Sequence, residues 1–117
     1  MAEMDHCLFC KIAEKKIPAR IVHEDDASVA FEDINPQAPV HILVIPKKHI
    51  PTSLSLSRDD NGLLGHLFQV AGNLARKRGI AESGYRLVMN TNGDGGQTVF
   101  HIHLHLLGGR QMHWPPG

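Results

Sequence analysis

From Gln97 to Leu107 the chain alternates. Phe100, Ile102, Leu104 and Leu106 fall on one side of an extended backbone and His101, His103 and His105 on the other. A period of two predicts a half-buried strand whose polar face is made of imidazole. Same-face residues sit ~6.6 Å apart along a strand, so the first and third rings start ~13 Å apart, too far to share one metal ion on a regular backbone. The spacing gives each ring its own task, and a neutral imidazole is both nucleophile and proton carrier near pH 7. An ordinary wet strand face would mix Thr, Lys and Glu at these positions.

The rest of the chain reads in the same way. Leu8, Phe9, Ile12 and Ala13 have the spacing of a short helix, ended by Ile17-Pro18. Ile21-Val22 and Ser28 to Asp33 are two strands joined by the Glu24-Asp25-Asp26 turn. After the rigid loop Asn35 to Pro39, Val40 to Ile45 is a nearly continuous apolar strand, hence central, closed by Pro46. Ser57 is the expected N-cap of the one long helix, with Leu63, Leu64, Leu67, Phe68, Ala71, Leu74 and Ala75 as its buried stripe and Gly79 as its stop. Tyr85 to Asn90 is a fourth strand, followed by the glycine-rich turn Asn92 to Gly96. The elements do not alternate βαβ, which predicts an α+β fold with the long helix across one face of an antiparallel sheet.

At 117 residues the chain fits a single domain, 1–117, with 1–6 a flexible N-terminus and 111–117 a C-terminal arm. Twelve basic and twelve acidic residues cancel, and no basic stripe tracks a polynucleotide, so no nucleic acid polymer is expected as partner. Met1 to His6 lacks the charge and apolar pattern of a signal peptide, and the longest apolar run, Ile42 to Ile45, is far below a membrane span. A soluble, cytoplasmic protein is expected, with Cys7 and Cys10 reduced. Nine His residues are an unusual number, and five of them (His41, His49, His101, His103, His105) fall in or beside strand-like segments, which points to a site.

Several constellations carry candidate chemistry. Backbone N–H groups of Gly95-Gly96-Gln97-Thr98 and the Thr98 hydroxyl can hold phosphate oxygens, or the glycines can simply make a hairpin turn. Without a Walker lysine or a carboxylate pair for Mg²⁺, a metal-free mechanism is the simpler expectation. Asp33 suits both hydroxyls of a ribose, or an Asx-turn beside Pro36. Phe9, Ile12, Phe31 and Ile34 can line a slot for a base or belong to the core. Cys7 and Cys10 have the spacing of half a zinc site, with His49 and His101 as the remaining ligand candidates; a redox pair, or two small helix-face residues, are the alternatives.

His101-Ile102-His103-Leu104-His105-Leu106-Leu107 resembles the histidine triad (HIT) signature, and the segments Gly95 to Val99, Asn35 to His41 and Gly108 to Gly117 resemble the Hint branch of that superfamily. Phe100 and Gly108-Gly109 do not match the prolines of the Fhit branch. The resemblance implies a HIT-like five-stranded antiparallel sheet continued across a homodimer, and hydrolysis of the P–N bond of purine nucleoside phosphoramidates. It implies His103 as nucleophile, His105 and His41 as triad partners and Thr98 beside the leaving amine. Asp33 and Ile34 would hold the ribose, Asn90, Gly96 and Gln97 the sugar-phosphate, and Trp114 would lie on an arm that reaches the partner's site. The Cys7/Cys10 pair looks like the zinc-binding form of the superfamily, with His49 and His101, giving a structural zinc and no catalytic metal. Two rivals remain: a nucleotide-binding regulatory or scaffold protein with incidental turnover, and a metal-dependent enzyme using a His-x-His pair, which needs a nearby Glu and another His on a facing strand, neither of them convincingly placed in the sequence.

Overall fold

The computed structural model describes residues 6–117, so most of the expected flexible stretch 1–6 lies outside the described residues. Strands β1 (Ile21–Glu24), β2 (Ser28–Glu32), β3 (Val40–Pro46), β4 (Tyr85–Val88) and β5 (Leu104–Gly108) form one antiparallel sheet in the order β1-β2-β3-β5-β4. The expected centre is correct: all seven residues of β3 are buried. Opposed residues in an antiparallel pair share a face, and the register sets Leu43 opposite both Phe31 and His105, and His41 opposite Leu107. One face therefore carries His41, Leu43, Ile45 and His105, and the other Val40, Ile42, Val44, Leu104 and Leu106.

The second face packs on the long helix α2 (Asn61–Lys77). Its buried positions are Leu67, Val70, Ala71, Leu74 and Ala75. Leu63 and Leu64 are only half-buried and Phe68 is exposed, whereas Val70 belongs to the stripe. Successive helix positions turn by about 100°, so with Leu67 at the centre of the contact Phe68 points aside. Ser57 does not cap α2 directly. It caps the 3₁₀ turn Arg58–Asp60, where Asp60 accepts from Ser57 N and from Lys48 Nζ (3.0 and 2.7 Å). Leu67→Ala, at a fully buried position, is expected to cost ~3 kcal/mol, measured by urea unfolding.

The first face is covered by the short helix α1 (Leu8–Ala13), which buries Phe9, Cys10 and Ile12 against Val29, Phe31, Leu43 and Ile45. His41 and His105 thus share a face with the smaller of two cores. The expected histidine strand is shorter than its alternation implied, since pairing begins at Leu104. Residues 97–103 are irregular because Ile102 N–H bonds Ile50 O (2.8 Å) and His101 turns into a cluster with α1; Phe100, expected on the buried face, is half-exposed. The glycine-rich turn forms a short helical turn, α3 (Asn92–Gly95), closed by Gly96 at φ +90°, which only glycine adopts freely. No helix among the described residues is long and apolar enough to cross a membrane.

Not every histidine serves the site. Asp25 Oδ2 accepts from His23 Nε2 (2.6 Å), His66 Nε2 (2.8 Å) and Ser28 Oγ (2.8 Å), pinning the β1–β2 turn to α2. Burial raises the Asp25 pKa, but these bonds and the Ala27 N–H outweigh it and hold the carboxyl well below its usual range.

Candidate active site and metal centre

β3, β5 and the residue just before β5 bring three rings together on the face away from α2. The ring centroids of His103 and His105 are 4.9 Å apart and those of His41 and His105 5.2 Å. His103 Nδ1 lies 2.8 Å from the His101 carbonyl. A carbonyl only accepts, so Nδ1 carries the hydrogen and the lone pair is on Nε2. Burial lowers the His103 pKa against the opposing pull of the His101 carbonyl and Asp33, keeping the ring neutral near pH 7. This is the protonation state of an imidazole nucleophile. Phe9 stands edge-on to His103 at 5.0 Å and limits how the ring can tilt.

His41 Nε2 lies 2.9 Å from His105 Nδ1 and 3.4 Å from Asp33 Oδ2. Asp33 reaches this position because Asp33 N–H bonds His41 O (3.0 Å), which extends the β2–β3 ladder one residue beyond Glu32. Burial, then His103 and His41, push the His105 pKa down to about 4. Its Nε2 is buried and has no hydrogen-bond partner among the described residues. Such an orphan costs ~1–3 kcal/mol, a cost that an anionic ligand would remove.

A second cluster lies under α1. Cys7, Cys10, His49 and His101 place their ligand atoms within 4.8 Å of one another. Nδ1 of His49 and Nδ1 of His101 are 3.3 Å apart, Cys7 Sγ and His101 Nδ1 3.3 Å, and Cys10 Sγ and His101 Nδ1 3.5 Å. A tetrahedron with Zn–N of ~2.05 Å and Zn–S of ~2.3 Å has edges of ~3.3 Å between nitrogens and ~3.5 Å between nitrogen and sulfur. His101 Nε2 donates to Pro46 O (2.8 Å), which leaves the Nδ1 lone pair facing the cluster. Burial, hydrogen bonding and the charge of Cys7, with Glu14 beyond, push the Cys10 thiol up to about 12, the penalty a central cation offsets. Cys7 is the N-cap of α1, its Sγ accepting from Cys10 N–H at 3.3 Å. The four residues fit a closed Cys₂His₂ site, and His101 turns its side chain toward it, away from the His41 and His105 rings.

The remaining expected residues are placed as follows. Ile34 is fully exposed beside Asp33, while Phe9 and Phe31 are core, 5% and 4% exposed. Asn90 borders the glycine loop, its side-chain nitrogen 3.9 Å from where a Gly96 Cβ would stand. The buried Gln97 holds the loop: its amide donates to Pro51 O (2.7 Å) and Val99 O (3.0 Å) and accepts from Asn92 N–H (2.9 Å). The loop is not the open cradle expected, because Gly96 N–H and Gln97 N–H close the α3 turn onto Gly93 O and Asn92 O. Thr98, with Val99 and Phe100, lines a cavity of about 320 Å³ that also touches Cys7 and His49. Trp114 is 83% exposed on the arm, which is tied to β4 by Arg86 Nη2 donating to His113 O (2.9 Å). Of the nearby Glu and facing-strand His that a metal-dependent reading requires, the His is present, contrary to expectation, and the carboxylate beside it is an aspartate: Asp33, His41 and His105 also lie within ligand reach of one another. What the sequence pattern missed is main chain: the carbonyls of His101 and Pro46 and the N–H of Gln37, 3.0 Å from His41 Nδ1.

An antiparallel sheet with a neutral imidazole, a second ring offering an unpaired nitrogen and a carboxylate at the end of the neighbouring strand is an arrangement able to carry group transfer through histidine. The HIT domain model matches residues 14–112. Purine nucleoside phosphoramidase of Escherichia coli K12 is 52% identical over 108 residues, covering 92% of this chain and 91% of that one. A HIT-like protein of Synechocystis is 53% identical over 110 residues, covering 94% and 96%. The crystal structure of a HIT family hydrolase from Legionella pneumophila superposes with a TM-score of 0.95 at 59% identity, over 96% of this chain and 100% of that one. A HIT family hydrolase from Clostridium thermocellum gives 0.91 at 45%, over 93% and 95%. The chain belongs to the HIT domain family.

Proposed function

We propose that the protein is a nucleotide-binding hydrolase that cleaves the P–N bond of purine nucleoside phosphoramidates, such as adenosine 5′-monophosphoramidate and aminoacyl-adenylate-like compounds, releasing AMP or GMP. The observation that carries this reading is the lock between His103 Nδ1–H and the His101 carbonyl, which leaves Nε2 as a neutral, aimed lone pair. Attack by Nε2 on the α-phosphorus forms a P–N bond to His103 and breaks the bond to the amine, which takes a proton from solvent as it leaves. The imidazolium so formed keeps Nδ1–H on the His101 carbonyl, and that bond strengthens as the ring becomes positive. Water then displaces His103 and frees the monophosphate.

His105 Nε2–H answers the charge on the non-bridging oxygens, the partner this buried atom otherwise lacks. Asp33 and Ile34 take the ribose, Asn90, Gly96 and the Gln97 main chain face the sugar-phosphate, Thr98 stands by the amine, and Phe9 and Phe31 back the base side from the core. Cys7, Cys10, His49 and His101 would hold a structural zinc, which supplies a cross-link between α1 and the start of β5. A homodimer is proposed through β4, one of the two edge strands of the sheet and the one along which the arm with Trp114 runs.

Turnover of adenosine 5′-monophosphoramidate is expected to exceed that of a matched adenosine phosphate ester by at least ~10²-fold in kcat/KM, about 2.7 kcal/mol of transition-state discrimination. Equal turnover of both would overturn the reading. Deleting 111–117 is expected to change the ratio of kcat/KM between bulky and small amines by ~10-fold with little effect on AMP affinity, since the arm would border the amine side. A uniform change across all amines would remove the arm from substrate selection.

A further inference from the structure

The orphan Nε2 of His105 can serve a phosphate only if it carries a hydrogen, and nothing within the ring decides that. The decision is made two rings away. Gln37 N–H donates to His41 Nδ1 (3.0 Å), so that nitrogen holds a lone pair and the hydrogen of neutral His41 sits on Nε2. His41 Nε2–H then donates to His105 Nδ1 (2.9 Å), which must be bare, and the His105 hydrogen is forced onto Nε2. Were Gln37 N–H absent and the pair reversed, His105 would turn a lone pair toward the anionic oxygens. Resting on the hydrolase reading above, we propose that the main-chain N–H of Gln37 is a positioning group for the reaction: through His41 it makes His105 a hydrogen-bond donor at the phosphate.

The amide is preset rather than adaptable. Gln37 O accepts from Arg110 Nε (3.0 Å), Gln37 Nε2 donates to Asn35 O (3.0 Å), and Asn35 N–H bonds Asp33 Oδ1 (2.8 Å), so the loop is bonded on itself and clamped from the C-terminal end of β5. Asp33 Oδ2, at 3.4 Å from His41 Nε2, favours the same tautomer more weakly. The amide also excludes the imidazolium, because a hydrogen on Nδ1 would meet the Gln37 N–H head-on. It further withholds His41 Nε2 from a metal, although Asp33, His41 and His105 stand within ligand reach of one another. His41 is therefore a relay of hydrogen-bond direction and not a base.

The test is read first without substrate. Long-range ¹H–¹⁵N spectra of the His-labelled wild-type protein are expected to show Nε2–H on His41 and His105 and Nδ1–H on His103. Nδ1–H on His41 overturns the proposal. Two variants then isolate the donor, since Gln37→Ala and Gln37→Pro remove the same side chain and only the second removes the N–H. Gln37→Ala keeps the N–H and is expected to keep these tautomers, with a loss of kcat at least about tenfold smaller than that of Gln37→Pro. Gln37→Pro is expected to lose the single tautomer of His41 and ~10² in kcat, the scale of one lost oxyanion donor, with AMP binding within about threefold. If Gln37→Pro folds and matches Gln37→Ala in tautomer and kcat, the proposal fails; if it does not fold, the wild-type spectrum still decides. The spectra do not depend on turnover, so inactivity on phosphoramidates would overturn the functional reading and leave this assignment standing.

Discussion

His103→Ala is expected to lower kcat on adenosine 5′-monophosphoramidate by at least ~10⁴-fold while AMP still binds within an order of magnitude. The asymmetry follows from geometry. The ring is buried, its Nδ1–H is spent on the His101 carbonyl, and the one free function it has is the Nε2 lone pair. Ala removes the atom that forms the covalent intermediate and leaves in place the Asp33 carboxylate and the His105 nitrogen, which would hold the nucleotide. Rapid quench of labelled substrate with wild-type protein should trap label on His103. Label on another residue, or retained turnover in the variant, would reassign the nucleophile.

The second large effect concerns the cluster under α1. One zinc per chain is expected in protein purified without chelator, and Cys10→Ser, or removal by chelation, is expected to lower Tm by at least about 10 °C, the shift that ~3 kcal/mol produces in a domain of this size. Turnover at temperatures well below the new midpoint should persist, because a closed four-ligand site has no place for substrate. Protein without zinc, or an unchanged Tm after chelation, would remove the metal from the account.

The sheet and the long helix were legible in the sequence because their signal is local. β3 reads as central from its nearly continuous apolar run, and α2 from its period, although Phe68 shows that period alone does not say where on the stripe contact centres. The histidine strand was legible only from Leu104 onward. The alternation continues back to Phe100, but His101 is bound to partners more than 50 residues away in sequence, at His49 and at Cys7 and Cys10, and that tertiary demand overrides the local pattern. The separate placement of the rings was readable from their spacing. The atoms that decide their chemistry were not, since the His101 carbonyl and the Gln37 N–H are backbone groups that every sequence possesses.

His101 has three connections of two kinds. Its side chain serves the cluster through Nδ1 and Pro46 through Nε2, while its carbonyl alone holds His103. A substitution can remove the first two and cannot touch the third. Over evolutionary time this would make a metal held there dispensable in one direction only: a lineage could exchange the four candidate ligands for ordinary packing residues and keep His103 aligned, whereas no side-chain change at position 101 could preserve the ligand set and release the imidazole. The fold thus allows its stability and its reaction to diverge separately from a single residue.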